Sequence, residues 1–137
     1  MVKKRAYLYC RTAHPDKDAL EAQKRNLTAY AEAQDFTITG VVSESGSGLD
    51  YSRAGLHEAM WAVAEKDVDV LLVANLSRLG RDTYKNEALL RWTRECGVSI
   101  VCADGTVPQT FSEILNSLVH PHRISCAQNS DLTITDT

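Results

Sequence analysis

The run Val68-Asp69-Val70-Leu71-Leu72-Val73-Ala74 constrains this chain more than any other feature. A strand with one wet face alternates apolar and polar residues. This run carries a single charge among its apolar residues, so both its faces are expected to be buried, as in a parallel sheet covered by helices. Residues 6–10, 36–42 and 98–103 also read as strands, being short, apolar and rich in β-branched or aromatic side chains.

Helical spacing fills the gaps. Pro15 disfavours helix at His14, and Asp16 offers a cap for a helix beginning at Lys17. Over residues 17–34, Leu20, Leu27, Tyr30 and Ala31 recur on one face. A second helix is expected to start at Ser52, with Leu56, Met60, Val63 and Ala64 sharing a face. A third runs from a cap at Asp82 to about Cys96, where Gly97 stops it. Strand and helix thus alternate, which predicts an α/β domain with a central, mostly parallel sheet of four or five strands. Helices would cover both faces, giving three layers.

Residues 1–105 are expected to form the core of one domain. Residues 106–137 would add a short helix at 111–119, with Phe111, Ile114, Leu115 and Leu118 on one side, and a flexible tail from His120. The connections 43–51 and 104–110 are expected to be mobile. Trp61 and Trp92 read as packing or interface residues, Met60 as core, and Lys3-Lys4-Arg5 as a solvated end. Tyr7 and Tyr9, on either side of Leu8, are expected to divide between the faces of the sheet.

Composition excludes several classes. Apolar residues make up 44% and charged residues 24%, which is ordinary for a globular domain and rules out a disordered or fibrous chain. No apolar run approaches the roughly 20 residues of a bilayer span, and the N-terminus lacks the apolar stretch of a secretory signal. The expectation is a cytoplasmic protein with no membrane partner. Cys10, Cys96, Cys102 and Cys126 show no zinc-site spacing and read as reduced thiols, with no metal and no cofactor. A net charge of −3 argues against a dedicated nucleic-acid-binding module. Yet of the fifteen Lys and Arg residues only Arg123 lies beyond residue 94, so an anion site belongs to the first two thirds.

In an open parallel sheet, ligands gather at the carboxyl ends of the strands. Arg11 follows the first strand, Arg53 follows the glycine- and serine-containing loop after the second, and Arg78 and Arg81 follow the third. Guanidinium is always charged and offers five donors in a planar fork, so four converging on one rim suit a phosphate or phosphodiester. Arg78 and Arg81 stand three apart, on one side of a helical turn. Gly80 between them would leave room for close approach. The plainer reading is four surface arginines paired with carboxylates.

These residues resemble a family. Tyr9-Cys10-Arg11-Thr12 looks like the opening of the serine recombinase catalytic domain, the resolvase/invertase group. Leu20-Glu21-Ala22-Gln23 resembles its first-helix motif, and residues 44–48 with Ser52-Arg53-Ala54-Gly55-Leu56 its second loop and helix. Leu76-Ser77-Arg78-Leu79-Gly80-Arg81-Asp82-Thr83 is similar to its signature almost word for word. The resemblance covers roughly residues 5–105. It implies a resolvase-like fold and DNA strand exchange for mobile-element integration. A serine hydroxyl attacks the scissile phosphorus and forms a 5′-phosphoserine link, releasing a 3′-hydroxyl. The link conserves bond energy, so neither ATP nor metal is required. Arg11, Arg53, Arg78 and Arg81 would form the phosphate clamp, and Gln23 would help order the nucleophile loop.

The sequence departs from that family at the decisive place. The nucleophilic serine should follow the first-strand arginine by two positions, where this chain has Ala13. Ser77 stands where the family often has aspartate, which would change how an adjacent arginine is held. Thr12, His14, Ser45 and Ser47 are poor substitutes for the missing hydroxyl. Thr12 is one position early, and successive residues of an extended segment point opposite ways.

The resulting expectation is a cleavage-defective catalytic domain. It would bind DNA weakly without a separate DNA-binding domain and act as a homo-oligomer, dimer or tetramer, or in a hetero-assembly with an active recombinase. The alternatives are a non-catalytic phosphate- or nucleotide-binding or regulatory domain, and a structural remnant.

Overall fold

The computed structural model describes residues 2–119. The expectations placed on His120 to Thr137, including Arg123 and Cys126, lie outside the described residues. The central sheet has four strands: β1 (Arg5–Thr12), β2 (Thr37–Ser45), β3 (Val70–Val73) and β4 (Ser99–Cys102). Their order is β2-β1-β3-β4, and all three pairings are parallel. Four helices alternate with them: α1 (Lys17–Ala33), α2 (Ala54–Ala64), α3 (Thr83–Glu95) and α4 (Phe111–Val119), with a 3-10 turn at Leu76–Arg78.

All four residues of β3 are buried, as the apolar run requires. On one face, Val70 and Leu72 join Ala6, Leu8 and Cys10 of β1 beneath Leu27 and Ala31 of α1. On the other, Leu71 and Val73 join Tyr7 and Tyr9 beneath Leu56, Ala59 and Val63 of α2 and Leu90 of α3. Three layers result. Tyr7 and Tyr9 therefore share one face, opposite Leu8, and are not divided between two. The physical reason is the two-residue repeat of a strand, which puts positions two apart on the same side.

The register of β1 on β2 slips once. Ala6 pairs with Ile38 but Tyr7 pairs with Gly40, so Thr39 is an extra residue in the edge strand. That bulge lets Ile38 and Val41, three apart, both face α1. It also sets Gly40 under the Tyr7 ring, where a Cβ would come within 2.5 Å of a ring carbon.

Helix starts differ from expectation in one case. Asp16 caps α1 by accepting from Ala19 N–H at 3.0 Å, and Asp82 caps α3 by accepting from Tyr84 and Lys85 N–H. Ser52 does not start α2; its hydroxyl turns to Asp50 Oδ1 at 2.6 Å. The helix begins at Ala54, and one of its first-turn N–H groups, that of Gly55, is taken by Glu44 Oε1 of β2 at 2.7 Å. Ala64 is exposed, and Ala59 takes its expected place on the buried face with Met60 half-buried beside it. Gly97 ends α3 with φ +83, the left-handed conformation that suits glycine.

Trp92 packs against the α2/α3 side of the core, whereas Trp61 is 69% exposed. The three cysteines among the described residues, Cys10, Cys96 and Cys102, are free thiols. No described helix is long and apolar enough to cross a membrane.

The basic N-terminal end is less free than a solvated tail. Arg5 donates from Nε and Nη2 to the Asp69 carboxylate at 3.2 Å, and Lys3 pairs with Asp35. The Arg5 bond holds the Asp69 carboxyl below its ordinary value of 3.8. A depressed folded value means the contribution is present at neutral pH and disappears as pH falls through it. Asp69→Asn is expected to lower the thermal midpoint slightly at pH 7 and not at all near pH 2, measured by melting across that range. An equal deficit at both would contradict it.

Candidate phosphate-binding site

The carboxyl ends of β1, β2 and β3 open onto one rim, and all four predicted arginines reach it. Arg11 is the second-last residue of β1, Arg53 precedes α2, Arg78 closes the 3-10 turn after β3, and Arg81 follows it. The Arg11 guanidinium is held below its ordinary value, first by burial and then by the positive charges of Arg53, Arg78 and Arg81. The four cations therefore share one neighbourhood.

They are held in different ways. Arg11 donates Nε to Arg78 O at 2.9 Å, Nη1 to Gly46 O at 2.7 Å and Nη2 to Ser77 O at 2.6 Å. Arg78 returns a bond from Nη1 to Arg11 O at 3.0 Å. Arg53 lies over the rings of Tyr9 and Tyr51, at 6.0 and 5.8 Å from their centroids. It donates Nε to Tyr9 Oη at 3.1 Å, Nη1 to Ser47 O and Asp50 O, and Nη2 to Leu79 O. Its counterion is Glu44, 3.4 Å from Nε. Among the described residues that is the single ion pair any of the four arginines makes. Arg81 is exposed, and its N–H donates to Gly48 O at 2.8 Å.

Two arginines thus knit loops together, and two keep donors free. Arg78 Nε is buried and has no hydrogen-bond partner among the described residues. A buried donor without an acceptor costs about 1–3 kcal/mol, so Arg78 Nε is a donor that an incoming acceptor would satisfy. Arg81 and Arg11 meet over Gly48, where a Cβ would lie 2.4 Å from Arg81 Cγ and 3.2 Å from Arg11 Nη2. Glycine at 48 is what lets the two side chains close in.

The connection 43–51 is not a loose segment. β2 extends through Ser45, and Arg11, Arg53 and Arg81 together take the carbonyls of Gly46, Ser47, Gly48 and Asp50. Gly80 also serves another purpose than expected. The space a Cβ would fill is taken by Tyr51 Oη, 2.0 Å from that position, and not by open room for a ligand. Tyr51 Oη donates to Asn86 Oδ1 at 2.6 Å and accepts from Asp82 N–H at 3.1 Å.

Gln23 is buried on α1 and grips the β1 backbone. Its Oε1 accepts from Arg11 N–H at 3.0 Å, and its Nε2 donates to Arg11 O at 3.2 Å. Ala13 is exposed just past the end of β1. The neighbouring hydroxyls are engaged locally: Thr12 Oγ1 donates to His14 O at 2.7 Å and meets Ser45 Oγ at 3.1 Å, and Ser47 Oγ accepts from Leu49 N–H. Ser77 Oγ turns to Asn75 Oδ1.

Sequence reasoning missed Glu44, Tyr9, Tyr51 and Asn86. Glu44 joins Tyr9 Oη, Gly55 N–H and Arg53 at one carboxylate. Burial and the Glu44 bond together push the Tyr9 hydroxyl well above its ordinary value, so it stays protonated and donates to Glu44. The signals available for Glu44 were an acidic residue at a strand end and its place at the head of the family's second-loop motif.

The family profile described as "Resolvase, N terminal domain" matches residues 6–120. A "Resolvase/recombinase" from Pseudomonas putida is 26% identical over 106 residues, which is 73% of this chain; the chain spans 58% of that relative's length. Among solved structures, the catalytic domain of ISC1926 TnpA, an IS607-like serine recombinase, is 28% identical with a TM-score of 0.69, covering 90% of this chain and 84% of that one. The N-terminal catalytic domain of TP901-1 integrase superposes with a TM-score of 0.72 at 20% identity, covering 89% and 96%, and so shares the fold. A parallel four-stranded sheet with this order of elements, and a profile match across most of its length, place the chain in the resolvase N-terminal domain family of serine recombinases.

Proposed function

We propose that this domain grips a DNA phosphodiester at the arginine rim and does not cleave it. The observation that carries this reading is the meeting of Arg11, Arg53, Arg78 and Arg81 at the end of β1, the strand after which the chain carries Ala13 and no hydroxyl. The guanidinium groups neutralise the non-bridging oxygens, with Arg78 Nε an uncommitted donor available to one. Gln23 acts by fixing the Arg11 backbone. Without an oxygen at position 13 no covalent link to DNA forms.

The domain works in the cytoplasm as part of an assembly, with its own kind or with an active recombinase of a mobile element. Residues 1–105 form its core, and α4 begins the oligomerisation helix. DNA binding by the domain alone is weak, independent of sequence and steeply reduced by salt.

The test is a search for a covalent protein–DNA adduct on supercoiled DNA carrying a candidate site. The unsubstituted chain is expected to give none. Ala13→Ser, fused to a DNA-binding domain, is expected to give an adduct in which the serine oxygen is bonded to a 5′-phosphate. An adduct from the unsubstituted chain would overturn the proposal. Micromolar binding of a free nucleotide that depends on Arg78 and excludes DNA would replace it with a small-molecule site.

A further inference from the structure

We infer that the arginine rim prefers a terminal phosphate monoester, a dianion, over the singly charged phosphodiester inside a DNA strand. The inference rests on the phosphate-binding reading above and narrows it to one class of phosphate.

Charge balance is the first reason. Four guanidinium groups share the site, and Glu44 is the one carboxylate ion-paired with any of them among the described residues. Glu44 is already engaged by Tyr9 Oη, Gly55 N–H and Arg53. Asp50 lies near Arg53 and keeps its charge while accepting two bonds from Ser52, and Asp82 caps α3. Position 77, which could have supplied a further carboxylate beside Arg78, is serine, and its hydroxyl turns to Asn75. A phosphodiester, at −1, compensates only part of the positive charge that Glu44 and Asp50 leave. A monoester, near −2 at neutral pH, compensates more of it.

Donor placement is the second. Arg11 and Arg53 direct most of their N–H groups to backbone carbonyls, so they contribute charge more than hydrogen bonds. Most of the donors left over are on Arg78, whose Nε is buried and without a partner among the described residues, and on exposed Arg81. A charged acceptor oxygen strengthens such bonds, and a terminal phosphate brings three where a diester brings two. Space is the third. Ala13 ends in a methyl group, so no side-chain oxygen from that position competes for the additional phosphate oxygen.

The ligand has two sources, a 5′-phosphorylated DNA end and free inorganic phosphate. The experiment compares a short blunt duplex carrying 5′-phosphates with the same duplex carrying 5′-hydroxyls, by fluorescence anisotropy at fixed salt. Inorganic phosphate is the competitor. About tenfold tighter binding of the phosphorylated duplex is expected. Arg78→Lys keeps the charge and removes the Nε donor, and it is expected to abolish most of that preference. Inorganic phosphate that binds as tightly as the phosphorylated duplex supports the dianion site and assigns free phosphate as its source.

Equal binding of the two duplexes overturns the terminal-phosphate preference and leaves the DNA reading standing. Binding of neither duplex, nor of phosphate, overturns both. A preference that survives unchanged in Arg78→Lys overturns the role given to Nε.

Discussion

Arg53→Ala is expected to cost about 3–5 kcal/mol of folding stability, the range for removing one member of a buried ion pair. That corresponds to roughly 10 °C or more in the thermal midpoint of a domain this size. The guanidinium is 3% exposed and holds four acceptors from three parts of the chain: Tyr9 Oη, Ser47 O, Asp50 O and Leu79 O. Alanine leaves those acceptors without a donor in a site that water reaches poorly. It also leaves the Glu44 carboxylate, 15% exposed, without its cation. If the uncompensated charge dominates the cost, Glu44→Gln added to Arg53→Ala should recover part of the loss, a non-additive outcome. Arg53→Lys should fall between, because an ammonium keeps the charge but loses the planar fork. A midpoint within a degree or two of the parent for Arg53→Ala would show that this arginine is a surface ligand and not the pin of the loop.

The same arginine marks where sequence reading ran out. Its position after the β2 loop was legible, and so was its convergence with Arg11, Arg78 and Arg81. Its partners were not, because hydrogen bonds to Ser47 O, Asp50 O and Leu79 O go to backbone atoms that every residue carries. The loop 43–51 looked mobile because glycine and serine have high local freedom, yet tertiary bonds to three arginines tie it down. The β3 run was legible because burial on both faces leaves a compositional trace. The Thr39 bulge left none, since a single inserted residue does not change composition. Ser52 lost the capping role because Glu44, eight positions earlier and on another element, reaches the Gly55 N–H. Local preference gives way where a charged acceptor from the tertiary structure is close.

Gly80→Ala is expected to destabilise the domain by about 2–4 kcal/mol, although its backbone lies outside the left-handed region. The cause is occupancy. An added Cβ would sit 2.0 Å from Tyr51 Oη and 2.1 Å from the ring carbon that carries it. The ring cannot retreat easily, because Arg53 and Lys85 lie over it at 5.8 and 5.2 Å from its centroid. Expelling Tyr51 breaks its bonds to Asn86 Oδ1 and to Asp82 N–H, and Asp82 is the cap of α3. It also frees the loop residue next to Asp50, which Arg53 holds through its carbonyl. Tyr51→Phe does not relieve the clash, since the ring carbon is nearly as close as the oxygen. Tyr51→Ala does relieve it. The expected result is that Gly80→Ala adds almost nothing once Tyr51 is alanine, read as a coupling energy from urea midpoints of the two single variants and the double. Strictly additive costs would mean that glycine at 80 is required for an incoming ligand or for the turn itself. In that case the Tyr51 plug would not be what joins the β2–α2 loop to the arginine turn.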